Sequence, residues 1–258
     1  MEDIKSILLE KLEAAEVVLA GIGEEFGEYE AADCTGFPDR IRQEGPAWMH
    51  PYGEMLRLKR SRTERMMTAY AVLEKLLENK DYFIVSIRKD DCIYDTGLRA
   101  DRIVTPCGGY RFTQCEYGCS RQLFKTDQKL LWEIAECMEG KRDPHTVQRP
   151  LCPVCKAGLV FNNTDTEQYV EEGYSQQWQH YMEWLQRTLN RRLCVLELGV
   201  GMAYPTVIRW PFEKIVFLNQ KSNLFRVHSK LYYLTEEIQG RGYSLEEKPI
   251  DFLINRFV

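Results

Sequence analysis

Two cysteine pairs, Cys115/Cys119 and Cys152/Cys155, constrain what this chain can fold into more than any other feature. They read C-x3-C, then 32 intervening residues, then C-x2-C. A tetrahedral zinc ion takes thiolates two at a time from short turns, so two such knuckles complete one shell. Four sulfurs leave no position for water, which makes a metal held this way structural. It would staple together segments too small to bury a core alone. The second knuckle, Cys152-Pro-Val-Cys-Lys-Ala-Gly158, is a tight turn with Pro153 inside it. Two unrelated pairs of buried thiols are the plain alternative.

The 258 residues suffice for one full core and a smaller satellite domain. A mean hydropathy of -0.41 is that of an ordinary globular chain. Its apolar runs are too short for a transmembrane helix, and the opening M-E-D-I-K-S lacks the basic-then-apolar order of a signal peptide. Nine cysteines without an export signal place the chain in a reducing cytoplasm, with thiols used for metal or catalysis. A net charge of -5 gives no support to a nucleic-acid partner. The cluster Arg57, Lys59, Arg60, Arg62 and Arg65 reads as a solvated helical face.

Residues 3–16 carry a helical apolar period (Ile4, Ile7, Leu8, Leu12, Ala15), followed by the buried-strand run Val17-Val-Leu-Ala20. Residues 28–53, rich in Gly, Pro and acids, read as irregular. Met66, Tyr70, Leu73 and Leu77 mark a second helix ending near Asn79. Strands are expected at Tyr82–Ile87 and Ile103–Thr105. After the metal-bearing stretch comes a helix with Trp178, Tyr181, Met182, Leu185 and Leu189 on one face. A strand at Leu193–Leu198, another at Ile215–Leu218 and a closing helix over Leu231–Ile238 complete the chain. Strands alternating with helices predict an α/β fold, a Rossmann-like parallel sheet covered on both faces, with a small zinc-binding domain inserted.

In such sheets ligands bind at the carboxyl ends of the strands, where this chain places its glycines and charges. Gly21-Ile22-Gly23 follows the first strand, but G-x-G-x-x-x-G is one residue longer than the dinucleotide fingerprint, and Glu24 and Glu25 would repel a phosphate. A plain strand-to-helix turn explains it equally well. Arg88, Asp90 and Asp91 follow the second strand, Cys107 the third, and Gly199-Val200-Gly201 the strand at 193–198.

This ordered set resembles the sirtuins, NAD-dependent protein deacylases and ADP-ribosyltransferases, over nearly the whole chain. Val17–Gly23 is similar to their strand with a Gly-Ala-Gly loop, and Ser86–Asp90 to their Thr-x-Asn-x-Asp segment. Ile103–Gly108 is similar to the strand ending in a His-Gly pair. The cysteine pairs match their zinc knuckles, Gly199–Pro205 their Gly-Thr-Ser loop, and Phe217-Leu-Asn219 the strand whose asparagine holds the adenosine ribose. The wording is most similar to the divergent bacterial class linked to macrodomains, a class of protein ADP-ribosyltransferases.

The resemblance implies an NAD-binding domain over 1–108 and 166–258, a zinc domain over 109–165, and NAD or ADP-ribose in the cleft between them. It assigns cofactor contact to Gly21, Ile22, Gly23, Asp90, Gly199, Val200, Gly201 and Asn219. The implied chemistry is loss of nicotinamide with transfer of ADP-ribose to a protein side chain, or deacylation, an acylated or lipoylated protein being the substrate. Three departures stand out. Cys107 replaces the histidine base, Arg88 the asparagine, and Glu24/Glu25 the phosphate-loop serine, while Asp90 is retained. Cys107, Arg88 and Asp90 thus hold the catalytic positions, with Arg88 the cation that could lower the Cys107 thiol pKa. The alternative is a catalytically impaired module that binds NAD or ADP-ribose without turnover.

Overall fold

The computed structural model of the protein describes residues 4–28 and 37–258, with side chains from Arg40 onward in the second stretch. Its strands are β1 (Val17–Ile22), β2 (Asp81–Ser86), β3 (Ile103–Val104), β4 (Gly108–Cys115), β5 (Phe124–Lys125), β6 (Leu159–Asn163), β7 (Leu193–Leu198), β8 (Ser222–Val227) and β9 (Gly242–Leu245). Six of them form one parallel sheet in the order β3-β2-β1-β7-β8-β9. The chain runs outward from β1 to one edge, then returns to β7 and runs to the other. In dinucleotide-binding sheets such a reversal marks the ligand crevice, here between the carboxyl ends of β1 and β7.

Side chains on a strand alternate between faces, so β1 feeds two cores. Val18, Ala20 and Ile22 pack with helices α1 (Ile4–Ala14), α4 (Glu64–Leu77) and α8 (Pro249–Phe257). Val17 and Leu19 pack on the other face with α6 (Ser175–Gln186) and α7 (Arg209–Leu218). The helical period read at Met66, Tyr70, Leu73 and Leu77 is the buried face of α4, started by Thr63, whose Oγ1 accepts from Met66 N at 3.1 Å. On α6, Tyr181 and Trp184 lie 5.4 and 5.8 Å from the Phe83 ring, whereas Met182, and Leu189 beyond the helix end, are exposed.

A second, antiparallel sheet has the order β5-β4-β6. Its core joins Phe161 and helix α5 (Gln128–Met138) to Ile41 of α2 (Phe37–Glu44) and to Tyr52 and Met55 of α3 (His50–Arg60). The small core therefore draws on two stretches of chain: 109–165, and the helices that precede α4.

Three expectations need correction. The 28–53 segment carries α2, a 3-10 turn over Ala47–Met49 and the start of α3, although its residues 29–36, with Cys34, lie outside the described residues. Ile215–Leu218 is the end of α7, not a strand: Ile208, Phe212 and Val216 repeat every four residues and are buried. A four-residue apolar run fits either element, and the flanking period decides it. The strand is Ser222–Val227, concealed in the sequence by Arg226. That side chain is fully buried because Glu197 on β7 accepts from its Nε at 2.6 Å and its Nη2 at 3.1 Å. Finally, the closing helix is α8, opened by Pro249, whereas Leu231–Ile238, read as helix, reaches only the start of a 3-10 turn over Glu236–Arg241.

The basic cluster straddles two helices, and its arginines pair with acids: Arg57 with Glu54, Arg60 with Glu139, Arg62 with Asp95, Arg65 with Asp251. Among the described residues no helix is long and apolar enough to cross a membrane.

Candidate functional site

The cysteine sulfurs of Cys115, Cys119, Cys152 and Cys155 all lie within 4.8 Å of one another. Cys115 Sγ is 3.5 Å from Cys155 Sγ, and Cys119 Sγ 3.6 Å from Cys152 Sγ. Ligands at a zinc–sulfur distance of about 2.3 Å on a tetrahedron stand roughly 3.8 Å apart, so the quartet fits such an ion. Backbone bonds shape both knuckles: Gly118 N donates to Cys115 O, and Lys156 N to Cys152 O. Gly118 and Lys156 both adopt left-handed backbone.

At the crevice between β1 and β7 the glycines have other work than expected. Gly21 lies inside β1, and a Cβ there would strike Ile208 and Phe212, so its role is close packing of α7 against the sheet. Ile22 is a core residue of the opposite face. Gly23 N donates to Leu198 O at 3.0 Å, and a Cβ on Gly23 would strike Gly199. The two strand ends are therefore stitched together, and the amide of Gly23 is already used. Gly199 is left-handed and its N–H donates to Val227 O at 2.8 Å, while Val200 is buried beneath the loop.

Past Val200, the amides of Gly201 and Ala203 turn toward the loop after β1. Both are held by Glu24: Gly201 N donates to Oε2 at 3.2 Å, and Ala203 N to Oε1 at 3.3 Å. Glu25 turns to the end of β8, where Ser229 donates to it through its N–H at 2.9 Å and through its hydroxyl. His228 Nδ1 is 3.2 Å from Glu25 Oε2 and accepts from Lys230 N and Leu231 N, each at 3.1 Å. Burial holds the His228 pKa below its usual value, against the pull of Glu25 and Glu24. Arg209 underlies the loop, donating to Val200 O at 3.1 Å and Leu231 O at 2.9 Å.

Asn219 is elsewhere. It ends α7, ahead of β8, at the amino edge of the sheet, and its amide donates to Arg191 O at 3.0 Å. The strand-end position expected of it falls to His228 and Ser229. Sequence reading missed both because it placed the strand one element early. A strand assigned over 222–227 would have found them.

After β2, Arg88 is engaged rather than poised. It pairs with Asp90 through Nε at 2.7 Å and through Nη2, and Nη1 donates to Glu24 O at 3.0 Å. The other oxygen of Asp90 accepts from Cys92 N at 3.0 Å. Cys107 is 2 % exposed, and burial pushes its thiol up to about 12, outweighing the pull of Lys89. The expected lowering by Arg88 does not occur, because that guanidinium is spent on Asp90. A thiol held protonated at neutral pH is neither nucleophile nor base.

Asp91, to which the sequence assigns no role, follows Asp90. It is left-handed, and burial pushes its carboxyl up to about 6 although it accepts from Tyr110 N at 2.6 Å. It lies at the wall of a cavity of about 560 Å³ shared with Thr105, Gly109, Arg111, Tyr174 and His180.

No family model matches the chain. It is 23% identical over 264 aligned positions to a protein ADP-ribosyltransferase of Staphylococcus aureus, covering 93% of this chain and 83% of that one. It is 29% identical over 163 positions to a probable bifunctional ADP-ribose hydrolase/ADP-ribosyltransferase of Fusarium oxysporum f. sp. cubense. That match covers 57% of this chain and 26% of the relative. Among solved structures, a Sir2 homologue in complex with 2′-O-acetyl ADP-ribose superposes with a TM-score of 0.59 at 14% identity, over 99% of this chain and 95% of the other. A Sir2 complex with peptide and NAD+ gives 0.53 at 14% identity, over 98% and 97%. The parallel sheet, its crevice and the four-cysteine lobe together have the sirtuin fold. The chain is a divergent, sirtuin-like member of that fold class.

Proposed function

We propose that this protein is an NAD-dependent enzyme of sirtuin type that transfers ADP-ribose to a protein side chain. The observation that carries the reading is the pair of backbone donors, Gly201 and Ala203, aimed at one anionic group in the crevice between β1 and β7. The S. aureus relative, named a protein ADP-ribosyltransferase, supports the direction of the chemistry.

NAD, when bound, supplies an ADP-ribosyl group whose bond to nicotinamide is broken. The chain's own part is to bind and orient. Gly201 and Ala203 amides would hold the diphosphate, with Arg209 behind them adding positive potential. Ser229 and His228 would meet the adenosine ribose. With Nδ1 accepting two backbone N–H groups, the proton of His228 sits on Nε2, on the side of Gly201, as a donor. Asp90, fixed by Arg88, would orient the nicotinamide end. The four cysteines would hold structural zinc and fix the strand that follows Cys107. The nucleotide domain would span 1–108 and 166–258, with 109–165 as the zinc domain, whose core also takes in α2 and α3.

The acceptor is a protein, with acylated or lipoylated proteins the first to be tried. Outside the quartet, Cys92, Cys107, Cys137 and Cys194 are buried free thiols, which supports a cytoplasmic setting.

A second reading, a module that binds ADP-ribose without turnover, is favoured by the protonated, buried Cys107 at the position of the family base. Incubation with NAD labelled in the adenosine half and separately in nicotinamide distinguishes the two. The enzyme reading predicts nicotinamide release with label on protein. Binding without release leaves the second reading.

A further inference from the structure

We infer that Glu24 is a built-in competitor for ligand phosphate, and thereby a specificity-determining residue of the crevice; the inference rests on the dinucleotide reading above. Its carboxylate spans two backbone N–H groups one residue apart, with one oxygen on each. Successive amides turned to one point form a concave anion site, which a phosphate would engage through two of its oxygens. The approach is close enough that a Cβ on Gly201 would collide with Glu24 Oε1, so glycine is required there for the carboxylate to reach the amides.

The two adjacent glutamates are not equivalent. Glu25 is half-buried, its backbone N–H donates to Gly199 O at 3.1 Å, and its carboxylate is tied to Ser229 and His228. Glu24 is exposed. Rotation of its side chain into solvent breaks the two amide contacts and disturbs no core residue. The Glu24 carboxylate cannot remain at the amides beside a diphosphate, because like charges that close repel.

Glu24 therefore has two positions: on the amides while the crevice holds no anion, and in solvent when ligand phosphate replaces it. An anionic ligand binds only by the margin over this internal carboxylate. A ligand without phosphate does not contest the amides and is indifferent to it.

Isothermal titration of the full chain and of Glu24→Ala and Glu24→Gln tests this with three probes: ADP-ribose, adenosine and inorganic pyrophosphate. Charge-assisted hydrogen bonds to a carboxylate set the scale, so ADP-ribose should bind Glu24→Ala about ten- to a hundredfold more tightly than the native chain. Glu24→Gln should lie between them, and adenosine should bind all three alike. Hydrogen exchange at the Gly201 and Ala203 amides should be faster in unliganded Glu24→Ala and return to the native rate with ADP-ribose. Equal or weaker ADP-ribose binding by Glu24→Ala overturns the inference and leaves the dinucleotide reading standing. An equal gain for adenosine also overturns it. If no chain binds ADP-ribose, the dinucleotide reading falls and pyrophosphate decides the inference by itself. Binding to Glu24→Ala but not to the native chain supports it, and binding to neither overturns it.

Discussion

The four-cysteine centre and the crevice between β1 and β7 are built on opposite principles. In the first, four sulfurs from two turns converge on one point, and like lone pairs crowded together are stable only around a cation. In the second, the charged groups already have partners inside the chain: Arg88 with Asp90, Glu25 with Ser229, Glu24 with two amides. On the reading proposed above, the centre would need an ion to hold its shape, whereas the crevice would keep its shape alone and yield to a ligand by exchange. The first would be scaffold, the second a site.

The largest effect that could break this contrast is loss of the metal. Structural zinc contributes about 10–16 kcal/mol of apparent binding free energy in small metal-dependent domains. Cys152→Ala should abolish binding of one zinc ion and melt the small lobe first. Native mass spectrometry counts the ion, and hydrogen exchange locates the melting. A lobe that stays protected without metal would remove the distinction.

The next effect lies under the crevice. Glu197→Ala strands Arg226, which is buried, and should cost about 3–5 kcal/mol in urea unfolding. Glu213, which also accepts from Arg226 at 2.7 Å, would retain part of the pairing and keep the loss near the lower figure.

Asp91 gives a smaller, pH-dependent effect. Its carboxyl sits at about 6 when folded, above the usual carboxylate range, so the folded state keeps a proton that the unfolded state releases. Its contribution to stability is highest below about pH 4 and falls as the pH rises through 6. Asp91→Asn, which can keep the acceptor for Tyr110 N, should be more stable than the native chain by roughly 2–3 kcal/mol near neutral pH. The gap should close toward pH 4 in thermal unfolding. A gap independent of pH would contradict the assignment.

Cys107 should show the smallest effect. A positioned general base contributes about 10²–10⁴-fold, so Cys107→Ala should change turnover by less than about tenfold if the thiol is inert. Iodoacetamide should leave it unmodified in the native chain.

The elements most legible in the sequence were those whose pattern is local. Leu8/Leu12, the α4 face and the continuous apolar β1 announce themselves by period, and the cysteines by spacing. The fold class and the zinc-type centre follow from these. What failed depended on long-range partners. Arg226 within β8 makes sense only once Glu197 is opposite it, so local pattern alone favours a strand one element too early and puts Asn219 at the wrong edge of the sheet. Glu24 and Glu25 were read as obstacles to a phosphate. Their opposing roles depend on Gly201, Ala203 and Ser229, which lie 177, 179 and 204 positions further along the chain.

The central claim, that the Gly201–Ala203 loop and the end of β8 form the nucleotide site, is tested most directly by amide spectra of isotopically labelled protein titrated with ADP-ribose. The account predicts that the Gly201, Ala203 and Ser229 amides shift together and saturably, while Gly118 and Gly158 in the cysteine knuckles stay in place. Saturation without movement at Gly201 and Ala203, or movement confined to the knuckles, would contradict it.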